Sequence, residues 1–251
     1  MEDQINGGQQ NSVPQTVAPA SAAEKAALFS AGGSLWMLVA AIVATVSLVT
    51  TFVGNVLTLN IFGFIGMVLD ILIAVGLWVT FAKCRKKSLG AGGIKLIKIP
   101  YIILFVFTVI GFVFDLIGGI FMALATLGLG IIPLLLNILT FVFECICFAS
   151  VKKTLNVAQD IAQDKSAAGK KTGIFAAVVM IIVAALNLIG DISGYLLMDA
   201  LADALPGFLG TLLGTSGIIT IVVAVVSFLA SISVALVLIQ FHKKIKSAHN
   251  G

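Results

Sequence analysis

Apolar residues in this chain neither alternate nor keep to one helical face. They run almost unbroken through six stretches separated by short polar or glycine-rich connections. A helix crossing a bilayer core takes roughly 20 such residues. The stretches at about 35–53, 61–82, 100–124, 131–151, 174–197 and 217–241 meet that length. Backbone groups in hydrocarbon must be satisfied within their own segment, so helices are expected. A membrane β-barrel is excluded, because its strands alternate apolar and polar positions. The pattern predicts an all-α polytopic bundle over 31–247, six spans forming three tandem hairpins.

Polar positions complete the outline. Residues 4–23 are rich in Gln, Asn, Ala, Pro and Gly and lack a basic leader, so 1–30 is expected to be a disordered tail. The first apolar run then acts as an uncleaved anchor, and 248–251 is a short C-terminal tail. Segment 198–216 is too short and broken to span. Its Leu201, Leu205, Phe208 and Leu212 recur at helical spacing with Asp199 and Asp203 on another face, which predicts an interfacial helix on the outer surface.

Charge adds orientation. Of 15 Lys and Arg, six fall in 83–98, five in 152–171 and three (Lys243, Lys244, Lys246) after the last span, with Lys25 before the first. Connections 54–60, 125–130 and 198–216 have none. Positive-inside sorting places both termini and both basic loops in the cytoplasm. Trp36, Trp78 and Tyr101 fall at the expected cytoplasmic ends and Tyr195 near an outer end, as interfacial anchors do. The hairpins also share features. Their second helices end Phe81-Ala-Lys83, Phe148-Ala-Ser-Val-Lys152 and Phe241-His-Lys243. Two first helices carry Asp-x-x-Gly, at Asp115–Gly118 and Asp191–Gly194, where the first hairpin has Val53-Gly54-Asn55. These likenesses suggest an internal triplication, although basic flanks and glycines recur in any polytopic protein.

Composition excludes a soluble enzyme: 60% of residues are hydrophobic and 10% charged, against about 45–50% and 25% in soluble domains. Cys84, Cys145 and Cys147 have neither disulfide nor zinc spacing. Cys84 lies beside the membrane among cations, where thiolate character or lipidation is conceivable, although a plain thiol is the simpler reading. His242 and His249 are expected in solvent. Gly169-Lys-Lys-Thr172 lacks the upstream glycine and strand of a phosphate loop, as does Gly90–Gly93. No catalytic constellation is found. Neither cofactor, metal nor enzymatic activity is expected, and the partners foreseen are the lipid bilayer, a further copy or another membrane protein, with no nucleic acid.

Four carboxylates sit inside predicted spans: Asp70, Asp115, Glu144 and Asp191. An ionised carboxylate at the bilayer centre costs at least about 2.5–3.5 kcal/mol, so such residues are functional candidates. At about 1.5 Å rise per residue, Asp70 lies roughly 20 Å beyond Lys83 and Glu144 roughly 12 Å from the cytoplasmic end. Asp115 and Asp191 fall in the outer third. Such acids can exchange protons or hold Na⁺ with help from Asn137, Asn187 or Ser193; they can equally stay protonated and bond a neighbouring helix. Gly190 and Gly194 form a G-x-x-x-G, a candidate close contact between helices of one bundle or of two copies.

Leu77-Trp-Val-Thr-Phe-Ala82 before its basic cluster, and Gly93-Ile-Lys-Leu-Ile-Lys98 entering the next span, carry a further likeness. Through them the whole chain resembles small uncharacterised multi-pass membrane proteins of Gram-positive gut bacteria. That resemblance implies a bacterial cytoplasmic membrane and no particular activity. The function expected from the residues alone is a non-enzymatic scaffold or accessory subunit; the alternative is a small secondary transporter or ion pathway. In the second, Asp70 carries the proton or cation, with Asp115 and Asp191 assisting.

Overall fold

A computed structural model describes residues 18–57, 61–125, 131–170, 172–204 and 208–250, with the side chains at 57, 61, 62, 122, 123, 125, 132, 133, 194, 197–204 and 208–220 outside that description. The described residues form α1 (Ala22–Gly32), α2 (Leu35–Leu57), α3 (Ile61–Arg85), α4 (Ala91–Ala125), α5 (Ile131–Ala162), α6 (Phe175–Ala204) and α7 (Phe208–Asn250), with no strand among them. Helices α2 to α7 each hold a segment long and apolar enough to cross a membrane. The chain is a multi-pass integral membrane protein of six spans.

Helices α2 to α7 pack in chain order around a ring, each against the next, and α7 closes the ring against α2. Large apolar side chains such as Leu35, Phe114, Phe121 and Leu124 point outward. Lipid tails are as apolar as the interior, so both faces of each span are apolar. That is why no 3.6-residue period marks the inner face in the sequence. The α4–α5 contact is aromatic: Phe105 stacks on Phe148 and Phe112 on Phe141, each with centroids 3.8 Å apart.

Four helices, α4 to α7, outrun their expected spans by seven residues or more, α6 by continuing to Ala204. Helix α4 begins at Ala91, α5 continues to Ala162 and α7 to Asn250. Lysines such as Lys95, Lys152 and Lys243 end an apolar run without interrupting the backbone ladder. Pro100 lies inside α4, where it cannot donate to the carbonyl four residues earlier, on Leu96. The α3 backbone approaches here at Gly76, whose missing Cβ would lie 2.7 Å from Ile97 Cγ1 and 3.1 Å from Leu96 C.

The N-terminal tail is shorter than expected. Residues 22–30 belong to α1, which packs Ala27, Leu28 and Ala31 against Cys84 of α3, Val157 and Ile161 of α5, and Phe241 and Ile245 of α7. A capping box starts it: Glu24 N–H donates to Ser21 Oγ (3.1 Å) and Ser21 N–H to Glu24 Oε2 (2.7 Å). The other carboxylate oxygen accepts from Ala167 N–H (2.8 Å) and Ser166 Oγ–H (3.4 Å) and contacts His249 Nε2 at 3.0 Å. Lys25 pairs with Asp164 at 2.8 Å, and Ser166 N–H donates to the Ala18 carbonyl. Apolar burial and a filled set of acceptors order this stretch despite its polar composition. Residues 1–17 lie outside the described residues.

His249 is exposed, as expected, but both histidines also have a partner within the chain. His249 is held by Glu24, and His242 Nδ1 lies 3.4 Å from Thr172 Oγ1. Cys84 is covered by α1, its Sγ 3.9 Å from the Leu28 carbonyl, so it is no surface thiol. Segment 198–216 is not a separate interfacial helix: α6 runs to Ala204 and α7 starts at Phe208, with 205–207 outside the described residues. The side chains of Asp199, Leu201, Asp203, Leu205, Phe208 and Leu212 lie outside them too. The contact of Glu24 with His249 places the start of α1 and the end of α7 at one end of the ring, where the basic clusters also lie.

Candidate functional site: a pocket inside the helix ring

The ring surrounds a pocket of about 520 Å³ lined from all six spanning helices. Each helix contributes one face. On α5 it is Glu144, Phe148, Val151 and Leu155, spaced three and four apart and hence stacked along one side. On α4 it is Ile97, Tyr101, Phe105 and Thr108, and on α3 it is Asp70, Ile73 and Leu77.

Polarity is sorted along the pocket. Towards the basic end the walls are Met37, Leu77, Ile97, Leu155 and Leu238. Further in, the same faces turn to Thr51, Asp70, Thr108, Glu144, Ser227 and Ser231. Helical rise puts Asp70 roughly 8 Å deeper than Glu144. Among the described residues, no Lys, Arg or His lines the pocket. Its two acids therefore meet hydroxyls, hydrocarbon and aromatic rings, without a protein cation.

The structure thus separates the four acids foreseen in the spans. Asp70, from α3, and Glu144, from α5, share one pocket. Glu144 is half-buried and accepts a hydrogen bond from Asn187 Nδ2 of α6 at 3.2 Å. Asp70 is exposed and makes no hydrogen bond among the described residues. Asp115 is exposed on α4 beside Phe114 and does not line the pocket. Asp191, half-buried on α6, does not line it either. Asn187 donates to Glu144 through Nδ2, the expected bond of an acid to a neighbouring helix rather than an oxygen offered to a cation, whereas Ser193 Oγ is turned to its own helix at the Ile189 carbonyl (2.8 Å). Asp70 thus shares its pocket with Glu144 and not with Asp115 or Asp191.

Gly190 is not a packing glycine within the bundle. It is exposed, and a Cβ there would meet nothing within 4 Å; Gly194 lies outside the described side chains. Its helix face points away from the ring. Close approaches between spanning helices lie instead at Gly76, against α4, and at Gly119, where a Cβ would lie 2.8 Å from Leu134 Cδ1 of α5.

Three aromatic side chains were not foreseen as pocket residues, Tyr101 having been expected as an interfacial anchor. Tyr101, Phe105 and Phe148 line the pocket as one wall, with Phe105 stacked on Phe148 and Tyr101 tilted against it at 5.4 Å. Their signal was the helical register: Tyr101, Phe105 and Thr108 on one helix, Glu144 and Phe148 on the next. Comparison of the chain with protein-family models, with curated proteins and with solved structures finds no match.

Proposed function

We propose that this integral membrane protein is a small secondary carrier, of the bacterial cytoplasmic membrane, in which Asp70 and Glu144 bind a proton or a cation inside the helix ring. One observation carries the reading: two carboxylates far apart in the sequence line the same pocket, among hydroxyls and without a protein cation. An unpaired carboxylate at membrane depth is expensive, and a site that takes up a positive charge offsets that cost. Pockets between the helices of a bundle are common ligand sites. A scaffold or accessory subunit needs only the outer faces of its helices and gives this pocket no task. The carrier needs no chemistry beyond binding, so the function proposed is not enzymatic. Positive-inside sorting puts the basic end, with α1 and both chain ends, in the cytoplasm.

Proteoliposomes test this. With a pH-sensitive dye inside and a panel of inorganic and organic cations outside, the parent protein moves protons in response to at least one cation. Asp70→Asn abolishes that response, while Asp115→Asn leaves it. Silence across the whole panel, or an unaltered Asp70→Asn response, removes the carrier reading.

A further inference from the structure

We infer that the cation taken by this pocket is an organic one with an aromatic or otherwise apolar body, a lipophilic amine or onium ion rather than Na⁺. The inference deepens the carrier reading and rests on it for the purpose of the pocket.

Size is the first argument. About 520 Å³ is far more than a dehydrated metal ion fills and falls within the roughly 300–1,000 Å³ of pockets for drug-sized ligands. The second is the coordination on offer. A metal ion leaving water needs a near-complete shell of oxygens, as in filters built of carbonyl rings. Here the oxygens are spread over α2, α3, α4, α5 and α7, along walls that are mostly hydrocarbon. An onium ion with an apolar body is weakly hydrated and needs no such shell.

The third argument is the sorting of the walls. A charged nitrogen or phosphorus centre fits the deeper region, where Asp70 and Glu144 supply negative charge and Thr51, Thr108 and Ser227 supply dipoles. The apolar body then lies towards the basic end, among Met37, Leu77, Ile97 and Leu238. Tyr101, Phe105 and Phe148 stand beside Glu144 on the α4–α5 side. Phe148 is stacked on Phe105 and has Lys152 Nζ 5.6 Å from its ring centroid, so its faces are engaged within the protein and the wall meets an aromatic ligand body through edge contacts. Binding of this kind also selects against small hydrophilic cations, which gain nothing from the hydrocarbon and lose their water.

The experiment uses the full chain in detergent with radiolabelled tetraphenylphosphonium, read by scintillation proximity. Saturable binding is expected, undiminished by equal concentrations of Na⁺ or tetramethylammonium and uncompeted by neutral triphenylphosphine oxide. Glu144→Gln, which keeps shape and hydrogen bonding, weakens it at least tenfold, and Phe105→Leu several-fold. Both variants are compared only after gel filtration and melting match the parent. A measurement without substitutions stands beside them: tetraphenylphosphonium slows carbodiimide labelling of Glu144 in the parent, followed by mass spectrometry. Absent saturable binding, competition by Na⁺, parent affinity in either variant, or unprotected Glu144 each overturns the inference. Cation-driven proton movement with no tetraphenylphosphonium binding leaves the carrier standing and removes only the ligand class. Binding without any transport does the reverse.

Discussion

Glu24 is the best-satisfied carboxylate among the described residues: its side chain is 2% exposed and both oxygens are engaged. Burial pushes its carboxyl up, but the hydrogen bonds from His249, Ser21 and Ala167 outweigh that and hold the acid below its ordinary value. A carboxyl lowered in the folded state stabilises fully above its unfolded value of about 4.3 and loses that contribution as pH falls through the folded one. Asp164, lowered by its hydrogen bond and charge pairing with Lys25, acts in the same direction. The melting temperature of the purified protein is therefore expected to be flat with respect to these two groups from neutral pH to about 5 and to drop below about 4. Glu24→Gln makes that acid limb shallower. At neutral pH, Glu24→Ala costs about 1–3 kcal/mol by orphaning buried donors, and Ser21→Ala about 1 kcal/mol by removing the cap. Equal melting of all three variants and the parent would show that the network holds nothing. The sequence did contain this site. Ser21 followed three residues later by Glu24, ahead of Ala27 and Leu28, is a capping-box pattern that the polar composition of the flanking residues masked.

At the scale of elements, the spans were legible because continuous hydropathy is all that a bilayer demands. Their faces were not. With apolar residues on every side, nothing in α3 or α5 distinguishes the turn that carries Asp70 or Glu144 as inward, nor the turn of α4 that carries Asp115 as outward. Helix lengths were also hidden, since Lys95, Lys152 and Lys243 interrupt an apolar count but no hydrogen bond. The small-residue pattern does not locate contacts within the bundle either: Gly190, of Gly190-x-x-x-Gly194, meets nothing within 4 Å in its own chain, while the close approach of α3 to α4 rests on Gly76, which has no glycine at that spacing in its own helix. Gly76→Leu is expected to destabilise the bundle by about 1–3 kcal/mol through overpacking against Ile97. Gly190→Leu should stay within about 0.5 kcal/mol. Thermal unfolding of the two side by side measures the contrast, and a reversed order would put the α3–α4 contact in doubt.

At the scale of the whole molecule, six spans return the chain to the end from which it set out. The orientation proposed for that end is open to a direct check. A reporter enzyme that folds only outside the cytoplasm, fused after Gly251 or inserted between Lys87 and Gly90, is expected to stay inactive. The same reporter placed in connection 126–130 should be active; the opposite pattern would invert the bundle. The ring has a further property. Because α7 packs on α2 as one sequential neighbour packs on the next, and Glu24 touches His249, no contact depends on which hairpin is made first. A short peptide joining residue 250 to residue 18, with new ends cut between Lys87 and Gly90, would rebuild the same circle with the first hairpin translated last.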